Sequence, residues 1–259
     1  MKRKLRNGET VMGIICNSGS PTLVEVLGYV GFDYVVIDTE HTPITLDEKA
    51  AHLIRAAEIG GLTPLIRVST EDPTFIHKSL DMGAQGIFVA LVNTREDARK
   101  IVEAVKYPPM GRRAFGPGRH LGRHRYGMDR KTYVDYWNRE SMVMFLVETT
   151  EGVDNLDEIV TVPGIDVMGI GQGDLAVDLG APAPRFGNPD CVKAVEKLLE
   201  LCKPRGIFVR DIFNDIDTAR KWYAKGIRVF EWGFDVEVFQ TAAKRIISTA
   251  ESLRKPAKA

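Results

Sequence analysis

Short hydrophobic runs alternate with segments of helical apolar spacing along almost the whole chain. Val11–Cys16 reads as a strand, followed by helical spacing over Pro21–Val30. Tyr34–Ile37 is a buried run ending in Asp38-Thr39-Glu40-His41, and Leu46–Ile59 is helical up to the stop signal Gly60-Gly61. Pro64–Val68 is a strand with Arg67 near its end, and Asp72-Pro73 opens a helix that runs to Met82. Gly86–Val92 is the next strand and Thr94–Lys106 the next helix, after which a long excursion covers Tyr107–Ser141. From Val143 a strand leads to Glu148, a helix occupies roughly Val153–Val160, and a second strand stops at Asp174. A Pro-containing loop then leads to the helix Cys191–Lys203. The strands Ile207–Ile212 and Arg228–Trp232 flank the helix Ile216–Ala224, and Val236–Leu253 is a closing helix.

Eight strands, each followed by a helix, predict an α/β protein of the (β/α)8 TIM-barrel class. The length of 259 residues suits one such barrel, and no linker or repeat interrupts it, so residues 1–259 are read as a single domain. The competing architecture is an open doubly wound sheet. Its dinucleotide fingerprint is absent, because Gly169-x-Gly171-x-Gly173 has the wrong spacing and precedes no typical helix N-terminus in this reading.

Charge narrows the partners. Lys+Arg and Asp+Glu are both 35, so nothing global attracts nucleic acid or an anionic membrane. Three scattered cysteines, Cys16, Cys191 and Cys202, fit neither a disulfide framework nor a zinc knuckle and point to a reducing cytoplasm. No run is apolar and long enough for a signal peptide or a membrane span.

In a barrel, chemistry gathers where the strands end. Ionisable residues recur there: Asp38, Glu40, His41, Arg67, Glu148, Asp174, Arg210, Asp211, Glu231 and Asp235. Glu148 and Asp174, closing successive strands beside Gly171-Gln172-Gly173, suit a hard divalent cation, which typically takes one or two carboxylates and leaves its other positions to water and substrate. The competing reading makes both helix N-caps. No strand or strand end carries a lysine, so a Schiff-base mechanism lacks its nucleophile, and a carbanion would need a metal instead. The excursion gathers Arg112, Arg113, Arg119, His120, Arg123, His124 and Arg125. It reads either as an anion-attracting loop over the barrel mouth or as an Arg-rich subunit contact.

Several stretches resemble the HpcH/HpaI aldolases, the metal-dependent class II pyruvate aldolases. They are GFDYVVIDTEH (31–41), PLIRV (64–68), IHKSLDMGAQGIFVALV (76–92), KYPPMGRRAFG (106–116) and VETTEGVDNLDEIVTVPGIDVMGIGQGDLAVDLG (147–180). The resemblance implies cleavage of a 4-hydroxy-2-oxo acid to pyruvate and an aldehyde through a pyruvate enolate. The metal, Mg²⁺, Mn²⁺ or Co²⁺, would be held by Glu148 and Asp174. His41 matches the family's base, with Asp38 supporting it, and Arg67 matches the arginine on the enolate oxygen. Asp81 matches a carboxylate that reaches the histidine of a neighbouring subunit. Backbone amides of Gly173, Asp174 and Leu175 would seat the pyruvate carboxylate. The resemblance also implies a homohexamer, a trimer of dimers, with the last helix exchanged. Oxaloacetate decarboxylation on the same site, or binding of a 2-oxo acid without turnover, are the alternatives.

The chain departs from the family pattern in places. Leu146-Val147-Glu148 stands where Gln-Ile-Glu is usual, and Gly171-Gln172-Gly173-Asp174-Leu175 replaces Gly-Pro-Ala/Ser-Asp-Leu. Val89-Ala90 replaces Val-Pro, and Trp232-Gly233-Phe234-Asp235 replaces Val-Gly-Ser-Asp. These changes alter the pocket wall and with it the expected substrate.

Overall fold

Eight parallel strands pair each with its sequence neighbour, and the last closes onto the first. The computed structural model describes residues 1–69, 71–116, 127–180 and 187–251. The strands are β1 (Val11–Cys16), β2 (Tyr34–Asp38), β3 (Thr63–Val68), β4 (Gly86–Val89), β5 (Met142–Val147), β6 (Val167–Ile170), β7 (Phe208–Ile212) and β8 (Val229–Phe234). Around them lie α1 (Lys2–Arg6), α2 (Pro21–Tyr29), α3 (Glu48–Ile59), α4 (Pro73–Asp81), α5 (Arg95–Val105) and α6 (Arg130–Glu140). They continue as α7 (Thr150–Asp154), α8 (Leu156–Ile159), α9 (Gln172–Asp178), α10 (Pro189–Cys202), α11 (Ile216–Lys225) and α12 (Asp235–Ala250).

Local chemistry starts the longer helices at the mouth of the barrel. Ser20, Asp47, Asp72, Thr94, Asn188 and Asp215 each accept a backbone N–H of the first turn they precede. Such a cap contributes about 1 kcal/mol. Alternation along the strands then divides the core in two. Ile37, Ile66, Ile87, Phe145 and Met168 face outward into the layer beneath the helices. Tyr34, Leu65, Phe88, Met144 and Val229 face inward and fill the barrel. The inward positions 210 and 231 hold a buried ion pair, Arg210–Glu231, with the Tyr34 hydroxyl 3.3 Å from Glu231 and the guanidinium 5.1 Å above the Phe88 ring. Gly169 makes this possible: a Cβ there would lie 2.2 Å from the Arg210 side chain.

The end opposite the mouth is closed by α1. Leu5 joins the interior cluster, and Lys2 ties the helix to Asp166 and to the Ser141 carbonyl. All three cysteines are buried and free, and no helix among the described residues is long and apolar enough to cross a membrane.

Some boundaries differ from the sequence expectation. The strand expected to reach Asp174 stops at Ile170, and Gly171 is the N-cap of α9, so the glycine triplet does precede a helix after all. Gly169–Asp174 holds a single apolar side chain, Ile170, too few to tell a strand period from a helical one. The strand expected over Gly86–Val92 ends at Val89, because Leu91 takes a left-handed conformation with φ 56°. The helix expected over Val153–Val160 is split into α7 and α8. The excursion contains α6, capped by Asp129, whose Tyr133 and Trp137 pack against Tyr107. Arg119, His120, Arg123, His124 and Arg125 lie outside the described residues.

Candidate active site

Glu148 is the first residue beyond β5 and Asp174 the third residue of α9, which follows β6, so adjacent strand ends present the two carboxylates. Glu148 is 5% exposed, and its Oε1 accepts the Leu91 N–H at 3.0 Å. The left-handed turn at Leu91, a conformation that costs a branched side chain about 1–2 kcal/mol, aims that N–H into the site. Gly171 lies against the same carboxylate: a Cβ there would be 2.6 Å from Glu148 Oε2. Burial, then the nearby charge of Asp174, push the Glu148 carboxyl up to about 7, with Glu40 adding to the effect and Arg67 opposing it. Among the described residues no three His, Cys, Asp or Glu side chains form a ready-made cage for an ion. Two carboxylates are nonetheless a donor set that Mg²⁺ uses, and Glu148, buried beside the like charge of Asp174, is suited to a cation.

Across the mouth, Arg67 and Asp38 form a forked pair on neighbouring strands β3 and β2. Arg67 Nε donates to Asp38 Oδ1 at 2.9 Å and Nη2 to Oδ2 at 2.5 Å. Asp38 also accepts the backbone N–H groups of Glu40 and His41. Burial opposes its ionisation, but the guanidinium and these donors hold the carboxyl below the usual range. Asp38 therefore supports the main chain of His41 and the guanidinium of Arg67; the imidazole is not its partner. Glu40 is the imidazole's neighbour instead, 3.5 Å from His41 Nε2 and 3.3 Å from Arg67 Nε. The His41 side chain is 61% exposed.

The other rim residues divide. Arg210 and Glu231 neutralise each other inside the barrel. Asp235 accepts the N–H groups of Asn17 and Ser18, pinning the loop after β1. Asp211 points outward and accepts from Gln172 Nε2 at 2.8 Å. Asp81 does not join the mouth of its own chain. It ends α4, on the side where strands begin, and pairs with the buried Arg113 at 2.8 Å. Gly173 and Leu175 flank Asp174 in the first turn of α9, which no side chain caps. A cavity of about 510 Å³ between α4 and α5, lined by Asp72, His77 and Lys100 among others, borders none of these groups. In the sequence Glu40 stands on the rim without a role, and nothing there gives one to the Leu91 amide or to Gln172. A backbone donor leaves no trace in a residue pattern, and Gln172 carried only the signal of being unusual at its position.

The HpcH/HpaI aldolase/citrate lyase family model matches residues 12–242. The chain belongs to this family. It is therefore an enzyme of the lyase type, on the barrel that the resemblance implied. The chain is 36% identical over 230 residues to the hydroxypyruvate/pyruvate aldolase of Rhizorhabdus wittichii, covering 88% of this chain and 89% of that one. Among solved structures, the HpcH/HpaI aldolase from Desulfitobacterium hafniense superposes with a TM-score of 0.89 at 27% identity, covering 97% of this chain and 96% of the other. The citrate synthase SbnG superposes with a TM-score of 0.88 at 31% identity over 98% of this chain and 99% of the other.

Proposed function

We propose that the chain is a divalent-metal-dependent aldolase that cleaves a 4-hydroxy-2-oxo acid to pyruvate and an aldehyde. The observation that carries this reading is Glu148, a buried carboxylate beside Asp174, pushed up to about 7 by burial and by that neighbouring charge. Glu148 and Asp174 would hold the ion, Mg²⁺ or Mn²⁺, with Co²⁺ also usable. A bound divalent cation supplies Lewis acidity toward the keto oxygen of the substrate.

The remaining groups divide the work among themselves. Arg67, locked by Asp38, would face the enolate oxygen in an oxyanion-type role. The amides of Gly173, Asp174 and Leu175 would seat the substrate carboxylate. His41, exposed and backed by Glu40, would take the proton of the 4-hydroxyl during cleavage and return it during addition. Leu146, buried beneath Gly171, makes the floor there apolar.

The proposed assembly is a homohexamer, a trimer of dimers, that exchanges α12. This sixteen-residue helix buries only Asp235 within its own chain and leaves Val238, Phe239 and Ile246 exposed. In such an assembly Asp81 would approach the His41 of a neighbour. The buried free thiols suit a cytoplasmic setting.

The test is exchange of the pyruvate methyl protons with D₂O, followed by NMR, with Mn²⁺ or Mg²⁺ and with chelator. Exchange that requires the cation and disappears in Glu148→Gln is the expected result. Absence of exchange with every metal, or its persistence in Glu148→Gln, refutes the reading.

A further inference from the structure

α9 carries Asp174, yet it is only seven residues long and has no side-chain cap, so little within the helix fixes its direction. Leu175 and Ala176 pack it on the core, and contacts of its first residue pin its N-terminal end. Gln172 is 7% exposed; its Nε2 donates to Asp211 Oδ2 at 2.8 Å, and its main-chain carbonyl oxygen accepts the Cys191 thiol at 3.5 Å. Asp211 is 1% exposed and alternates with the inward-facing Arg210 and Ile212, so it leaves the barrel on the helix side of β7. Its Oδ1 accepts the Ile212 N–H at 2.8 Å. Burial pushes the Asp211 carboxyl up to about 6 against the opposing pull of Arg210, the Ile212 N–H and Gln172. A carboxylate at this depth costs stability that an apolar side chain would not. Its one side-chain hydrogen bond among the described residues goes to Gln172.

We propose that Gln172 and Asp211 are a positioning pair that orients the first turn of α9 and so sets where the Asp174 carboxylate stands relative to Glu148. This inference rests on the reading of Glu148 and Asp174 as metal ligands. Neither member of the pair is among the proposed ligands. The bond links the start of α9 to β7, and turning the helix at Gln172 moves Asp174, two residues on, with it. Groups that orient metal ligands are felt in affinity even when they lie outside the coordination sphere.

The experiment is Mn²⁺ affinity of the full-length protein by calorimetry at pH 8, for wild type, Gln172→Leu, Asp211→Leu, the double variant and Asp211→Asn, with Glu148→Gln as control. Each Leu variant should weaken Mn²⁺ binding by about 10- to 100-fold. The double variant should be no weaker than the worse single, because both remove the same bond. Asp211→Asn keeps an acceptor for Gln172 and should lose less, and it stands in if Asp211→Leu does not fold. A purely structural pair would shift the melting temperature and leave Mn²⁺ affinity alone. Affinity of Gln172→Leu within about twofold of wild type, or additive losses in the double variant, overturns the proposal. If Glu148→Gln loses Mn²⁺ while Gln172→Leu keeps it, only the positioning pair falls. A wild type that binds no Mn²⁺ overturns both readings.

Discussion

Glu148→Gln should make the metal-free protein more stable above neutral pH while removing its response to a divalent cation. The carboxyl rises from 4.5 to about 7, chiefly through burial and the Asp174 charge. Between those values the folded chain retains a proton that the unfolded chain has released, so stability falls as pH climbs through this window and the full cost is in place above pH 7. The interval corresponds to about 3 kcal/mol. Gln keeps an oxygen for the Leu91 N–H and carries no charge for Asp174 or Glu40 to repel. Wild type and variant should therefore melt together near pH 4.5 and separate by about 6–12 °C at pH 8, in chelator and at one protein concentration. Replacing the chelator with Mn²⁺ should close the gap from the wild-type side only. Saturation at a hundred times the dissociation constant contributes about 2.7 kcal/mol. Coincident melting profiles of the two proteins across this pH range in chelator would refute the account of Glu148. Equal stabilisation of both by Mn²⁺ would refute its assignment as a ligand.

The neighbouring residues give sharper contrasts. Asp38→Asn breaks the forked pair with the buried Arg67 and should cost about 3 kcal/mol in chemical denaturation, along with a fall in kcat for methyl-proton exchange; a change below about 1 kcal/mol would contradict the pairing. His41→Ala, at an exposed side chain, should alter stability by no more than about 0.5 kcal/mol and slow aldol cleavage by about 100-fold or more, and near-wild-type cleavage would remove His41 from the mechanism. Gly171→Ala places a methyl against Glu148 and should weaken Mn²⁺ binding by about tenfold or more, which calorimetry reads directly. Phe239→Asp, on the uncovered face of α12, should shift the assembly to smaller species in light scattering, and an unchanged mass would locate the subunit contact elsewhere.

The barrel was legible because its signal is repeated: a buried run, a polar residue at its end and a capped helix recur around the ring, and an error in one unit leaves the others intact. The site was legible only in part, because what separates a site residue from a structural one is parity and backbone direction. Arg210, Asp211 and Glu231 look equivalent as charges near strand ends. In the fold, Arg210 and Glu231 face inward and neutralise each other, whereas Asp211, one residue along, faces outward to Gln172. Parity in turn depends on the register of pairing, Gly169 with Arg210 and Ile212 with Glu231, which no single strand encodes. Asp174 reads as the end of a strand and stands instead in the first turn of a helix: GIGQGD suits a strand end as well as a helix start, and the contact of Gln172 with a different strand accompanies the helical choice. The Leu91 amide was beyond reach, since a left-handed leucine is disfavoured by its own side chain and is held by surroundings contributed by β5. The two proposed ligands thus depend on contacts that their own segments do not contain: the Leu91 N–H for Glu148, and the Gln172–Asp211 bond for the helix that carries Asp174. Replacing Asp211 is therefore expected to act on metal affinity, whereas Leu91 acts through its main-chain N–H, which a side-chain substitution leaves in place.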